Sequence, residues 1–116
     1  MRIIIADTRP GVRSALELLL KRQPEFEVVD KVASTVALLA AVRAHQPQMV
    51  LLDWELARRE QAGLIDLLVT VRNNLIIVAL SSQPEACESA LRAGVNAFIS
   101  KGDPPDAVLR TLLDIA

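Results

Sequence analysis

The sequence predicts an α/β fold, with five parallel strands in one doubly wound sheet and helices on both faces. Three observations point there. Short apolar runs rich in β-branched residues recur five times, amphipathic stretches at helical spacing separate them, and turn residues mark the junctions. Strands buried on both faces read as unbroken apolar runs. Parallel neighbours need a long crossover between them, and the amphipathic stretches supply it.

The first strand is Ile3-Ile4-Ile5. The helix after it is the clearest in the chain, because Val12, Ala15, Leu16, Leu19 and Leu20 follow i, i+3, i+4, i+7, i+8. Pro10 suits its first turn, and Lys21 and Arg22 are expected to place positive charge at its last. Val28-Val29 forms the second strand. Ser34-Thr35 caps a second helix that runs through Leu38, Leu39 and Val42 and stops before Pro47.

Residues 49–52 make the third strand, and a charged loop is expected at 58–62. Residues 75–80 make the fourth strand. Pro84 opens the fourth helix, with Cys87, Ala90 and Leu91 as its inner stripe, and Gly94 sits where a left-handed residue is wanted. A weaker fifth strand, Ala97-Phe98-Ile99, precedes the last helix. That helix starts at Asp103-Pro104-Pro105 and buries Val108, Leu109, Leu112 and Leu113.

Composition narrows the function classes. The 116 residues fit one domain, 1–116, on a prior of roughly 100–200 residues per domain, with no linker or repeat. The apolar runs at 36–42 and 75–80 fall far short of the ~18 residues of a membrane span. Met1-Arg2 leads straight into the first strand without a cleavage-like site. Cys87 is the single cysteine, so no internal disulfide forms, and a reducing cytoplasm is the expected home. With 13 basic and 14 acidic residues, no global field draws in nucleic acid or an anionic membrane.

Ligand sites in such sheets gather at the carboxyl ends of the strands. Those ends are Ala6-Asp7-Thr8, Asp53-Trp54, Ser81-Ser82 and Ser100-Lys101. Two converging carboxylates repel unless a cation lies between them. Asp7, Asp53, a Ser81 hydroxyl and a Lys101 ammonium around one spot suit a phosphoryl group carried on a carboxylate. Asp7 also suits a cap of the first helix. Trp54 is expected as a partly exposed lid, His45 as a capping or solvent residue, and Cys87 as core. Gly11 stands alone after the first strand, which gives no nucleotide-binding loop.

Four segments together resemble the receiver domains of two-component response regulators. They are Ile3-Ile4-Ile5-Ala6-Asp7-Thr8-Arg9-Pro10, Met49-Val50-Leu51-Leu52-Asp53-Trp54, Val78-Ala79-Leu80-Ser81-Ser82 and Ala93-Gly94-Val95-Asn96-Ala97-Phe98-Ile99-Ser100-Lys101. The last, with Asp103-Pro104-Pro105, is similar to receivers that precede a helix-turn-helix DNA-binding domain. The resemblance implies a flavodoxin-like (βα)5 fold with strand order 2-1-3-4-5. It also implies that Asp53 is the phosphoacceptor and that Asp7 and the backbone carbonyl of Glu55 join it around Mg²⁺. Ser81 and Phe98 match the switch pair, and Lys101 matches the phosphoryl-binding lysine.

Departures are visible too. Thr8 stands where the family's second acid would ligate the metal, so Mg²⁺ is expected to bind weakly or not at all. Leu56-Ala57 replaces the usual Met-Pro, Gly63 falls two residues late, Gly102 replaces the commoner Pro, and Phe98 carries no hydroxyl.

The resemblance implies a signalling module rather than an enzyme. Asp53 would accept a phosphoryl group from a histidine kinase and regulate an output, transcription foremost. Partner contact or homodimerisation would use the face of the fourth helix, fifth strand and fifth helix, with Arg92, Asp106 and Arg110 at its rim. DNA would be reached only through a separate output domain outside the 116 residues, and no membrane partner is implied. The alternative is a phosphorylation-independent pseudo-receiver acting as an interaction or dimerisation module, which Thr8 favours. A small enzyme on the same fold has no nucleophile–base pair beyond the site already named.

Overall fold

The computed structural model describes residues 1–60 and 62–116. Its elements are β1 (Arg2–Ala6), α1 (Pro10–Leu20), β2 (Glu27–Val32), α2 (Thr35–His45), β3 (Met49–Asp53), α3 (Trp54–Glu60), α4 (Leu64–Val71), β4 (Ile76–Ser81), a 3-10 turn (Pro84–Ala86), α5 (Cys87–Arg92), β5 (Ala97–Ser100) and α6 (Pro105–Ile115). The five strands form one sheet in the order β2-β1-β3-β4-β5, every pair parallel. Both the fold class and the strand order are those expected.

Side chains of a strand alternate between faces, so an unbroken apolar run fills both at once. Ile4, Val50, Leu52, Ile77 and Ala79 pack under α2, α3, α4 and α5. Their neighbours Ile3, Ile5, Leu51, Val78 and Leu80 pack on the opposite face under α1 and α6. All ten are at most 4% exposed. The middle of the sheet is therefore a fixed platform, and chemistry is left to its carboxyl edge.

The structure corrects the sequence reading at several places. The segment expected as a charged loop at 58–62 is helical through Glu60, and Gln61 lies outside the described residues. Glu60 is held there by its contact with the neighbouring helix α2, since its Oε1 accepts from the Thr35 backbone N–H at 2.9 Å and the Thr35 hydroxyl at 3.1 Å. Gly63 then takes a left-handed φ of 72° to start α4, so the third crossover carries two short helices. The β2 strand is not buried on both faces. It is the sheet edge, its register slips opposite Ile3/Ile4, and only Val32 is fully buried.

Helix ends also differ. Lys21 is the C-cap of α1 and Arg22 lies beyond it, so no basic residue occupies the last turn. The Ser34 cap holds, its hydroxyl accepting from the Ala37 N–H at 3.1 Å. The inner residues here are Ala86 of the 3-10 turn and Ala90 of α5, while Cys87 is half-buried and Leu91 is turned outward, 47% exposed. Gly94 adopts φ 107°, as expected for the end of this helix. The last helix, α6, starts at Pro105 with Pro104 at its N-cap position, within the expected segment, but Leu113 is only half-buried. Among the described residues, no helix is long and apolar enough to cross a membrane.

Candidate functional site

The carboxyl edge of the sheet brings three of the expected residues into direct contact. Lys101 Nζ donates to Asp7 Oδ2 at 2.8 Å and to Asp53 Oδ1 at 3.2 Å. Both acids are nearly closed to solvent, Asp7 2% and Asp53 7% exposed. The strands fix this arrangement. Ala6 of β1 pairs with Leu52 of β3, which puts Asp7 and Asp53 side by side one residue further on. Lys101 follows the end of β5, and its N–H bonds to the Ser81 carbonyl at 2.9 Å, so the ammonium reaches across the β4 end to the carboxylates.

Electrostatics at this spot oppose ionisation of Asp53. Burial raises its pKa above the usual carboxylate value, the neighbouring Asp7 adds to that, Lys101 works the other way, and Glu55 contributes a further small rise. The Oδ1 atom of Asp53 is engaged by lysine. No hydrogen bond reaches Oδ2 among the described residues.

Asp7 does not cap α1 directly, because the N-cap is Arg9. Its Oδ1 instead accepts from the Arg9 N–H at 2.9 Å, fixing the loop that enters the helix. Arg13 was not anticipated at the site. Its guanidinium donates to the Asp7 carbonyl at 2.6 Å, which holds a cation at a helix start where the dipole disfavours one. A basic residue four places after Arg9 was the available signal.

The remaining expectations fall out differently. Ser81 is fully buried at the end of β4, but its hydroxyl donates to the Glu55 carboxylate, at 2.9 Å to Oε1 and 2.8 Å to Oε2. The side chain of Glu55, expected to matter only through its backbone carbonyl, is thus committed to Ser81. Trp54 is no exposed lid: it is 6% exposed within the core, and its indole N–H donates to Ser89 Oγ of α5 at 3.3 Å. Phe98 is half-buried against the same core layer. His45 Nε2 sits 3.5 Å from Asp30 at the end of α2, far from this chemistry in the fold.

A hard cation needs several oxygen donors. Asp7 and Asp53 supply carboxylate oxygens side by side, but Thr8 is an exposed hydroxyl in place of another acid. No cluster of three or more His, Cys, Asp or Glu suited to a metal ion is found among the described residues. The donor set fits a hard cation, weakly.

Comparison with known proteins places these features in a family. The family profile described as "Response regulator receiver domain" matches residues 3–113. The Fimbriae Z protein of Salmonella typhimurium is 33% identical over 101 residues, covering 85% of this chain and 48% of that protein. The transcriptional regulatory protein YhcZ of Bacillus subtilis is 29% identical over 115 residues, covering 96% of this chain and 53% of that one. The chain therefore spans about half the length of the curated relatives it matches. Among solved structures, the signal receiver domain of the response regulator NarL from Mycobacterium tuberculosis superposes with a TM-score of 0.85 at 22% identity, covering 98% and 94% of the two chains.

Proposed function

The chain belongs to the response regulator receiver family, and from that membership and the site geometry we infer that Asp53 accepts a phosphoryl group from a histidine kinase. The observation that carries this is the Lys101 ammonium set between Asp7 and Asp53 at 2.8 and 3.2 Å. It balances a carboxylate pair that would otherwise repel, and it stands ready for the oxygens of a transferred group.

In the reaction, Asp53 attacks phosphorus through a carboxylate oxygen. The bond from phosphorus to the kinase's imidazole nitrogen breaks, its electron pair returns to the ring, and an acyl phosphate is left on Asp53. Asp7 and the Glu55 carbonyl, with Asp53, are the residues that would hold Mg²⁺. When bound, that ion neutralises charge on the transferring oxygens. Lys101 binds the transferred group from the other side. Thr8 makes the cation's hold weak, because one negative ligand is missing.

Incubating the domain with acetyl phosphate, with and without Mg²⁺, and weighing the intact product tests this. The expected result is one added phosphoryl group, faster with Mg²⁺ and lost in Asp53→Asn. No added mass under either condition would favour the phosphorylation-independent interaction module.

The readout belongs to the face of α5, β5 and α6, where a homodimer or partner is proposed to dock. Leu91 and Arg92 are exposed there, as is Arg110 on α6. Asp106, one turn before Arg110 on α6, is also exposed and pairs with Arg22 beyond α1 at 3.1 Å. Arg92 is already paired with Glu88 one turn earlier. Joint Arg92→Glu and Arg110→Glu replacement should lower self-association in sedimentation runs of the phosphorylated protein; unchanged sedimentation would place the contact elsewhere. Regulation of transcription through a separate DNA-binding domain, in the cytoplasm, is the output that the relatives support best.

A further inference from the structure

We propose that Glu55 is a positioning residue of the phosphoryl site: its carboxylate holds the Ser81 hydroxyl, and occupancy of Asp53 has to break that bond. The inference rests on Asp53 as phosphoacceptor and adds to it a residue whose side chain that reading does not use.

Hydrogen-bond capacity makes the argument. A serine hydroxyl has one proton to give and accepts through its lone pairs. The Ser81 proton goes to Glu55, shared between Oε1 and Oε2 at 2.9 and 2.8 Å. On its acceptor side the same oxygen takes the Gln83 N–H at 3.0 Å. Ser81 is fully buried, so no water substitutes for either partner. Its hydroxyl therefore cannot donate to a phosphoryl oxygen while Glu55 holds it.

Position makes the competition real. Asp53 pairs with Leu80 across β3 and β4, so Ser81 ends the strand adjacent to the acceptor. A phosphoryl group on Asp53 would raise the local negative charge and offer strong acceptor oxygens. Both changes work against Glu55, by repulsion and by competition for the single proton. The displaced carboxylate has a place to go: Arg58 and Arg59 lie three and four residues further along α3, on the neighbouring positions of its surface, and both are exposed. Glu55 thus has two sets of partners, and the charge at Asp53 decides between them.

A double-mutant cycle in beryllofluoride affinity tests this with wild type, Glu55→Ala, Ser81→Ala and the double variant. Removing the carboxylate relieves repulsion in either background, but it releases a hydroxyl only where Ser81 is present. Glu55→Ala should therefore tighten beryllofluoride about fivefold more in the Ser81 background than in Ser81→Ala. Thermal unfolding of the same four proteins without beryllofluoride checks that all fold, and Ser81→Ala should lower Tm more with Glu55 present than in Glu55→Ala. Equal tightening in both backgrounds would overturn the proposal. If none of the four bound beryllofluoride, the phosphoacceptor reading itself would fall and this one with it, while the unfolding cycle would still report whether the hydrogen bond holds.

Discussion

The ammonium of Lys101 lies 3.2 Å from Asp53 Oδ1 across 48 residues of chain, with both side chains largely closed to solvent. Lys101 is 15% exposed at its side chain and Asp53 8%, so their attraction is screened far less than a surface pair would be. Removing the lysine strands both acids. Lys101→Met should destabilise the domain by about 3 kcal/mol near neutral pH, because two adjacent buried carboxylates lose their counter-charge. Urea unfolding measures it. The loss should shrink as pH falls and the carboxyls take up protons; a constant loss would mean that packing, not charge, is responsible.

Asp53→Asn should do the opposite. The folded-state pKa of Asp53 is raised, by burial first and by Asp7 second. Between the ordinary carboxylate value and that raised value, the native state binds more protons than the unfolded one. Stability contributed by this group therefore falls as pH rises through the window, and at neutral pH Asp53 is a net penalty. The neutral amide removes the penalty. The variant should be more stable than wild type at neutral pH, with the difference narrowing toward pH 4, as chemical unfolding across pH will report.

Thr8→Asp restores a carboxylate to the metal side of the site. Mg²⁺ should bind about tenfold tighter, because the donor set regains a charged oxygen ligand. Trp54 adjoins Asp53 in sequence, and its fluorescence can follow the titration. An unchanged affinity would mean that residue 8 does not face the ion.

Trp54 is itself a prediction. With its ring buried and its N–H on Ser89, its emission should be blue-shifted relative to free indole. Ser89→Ala should cost about 1 kcal/mol and alter that emission, since the indole N–H loses its partner. Emission already at the solvent-exposed position would contradict the packing.

Much of this was legible in the residues. Buried parallel strands write themselves as unbroken runs, so β1, β3 and β4 and the Asp7, Asp53 and Lys101 that follow strand ends could be read directly. The edge strand β2 was harder, because Glu27, Asp30 and Lys31 interrupt its run and its bulge breaks any period. The 58–62 segment misled for a different reason. Its charges looked like a loop, yet Glu60 finds Thr35 on another helix, a tertiary contact that no local pattern encodes. The hydrogen bond from Ser81 to Glu55 was hidden in the same way, since it depends on which strands lie side by side. Trp54 was misplaced because large aromatics after a strand suit a lid or a core equally well, and Ser89 decides it.

The central claim is that the phosphoryl group resides on Asp53. Borohydride reduces an aspartyl phosphate to homoserine, so reduction after acetyl phosphate treatment, followed by peptide mass mapping, locates the modified residue. Homoserine is expected in place of Asp53 and at no other acid. Homoserine in place of Asp7, 5-hydroxynorvaline in place of Glu55, or neither product while the intact protein carries an added phosphoryl group, would contradict it.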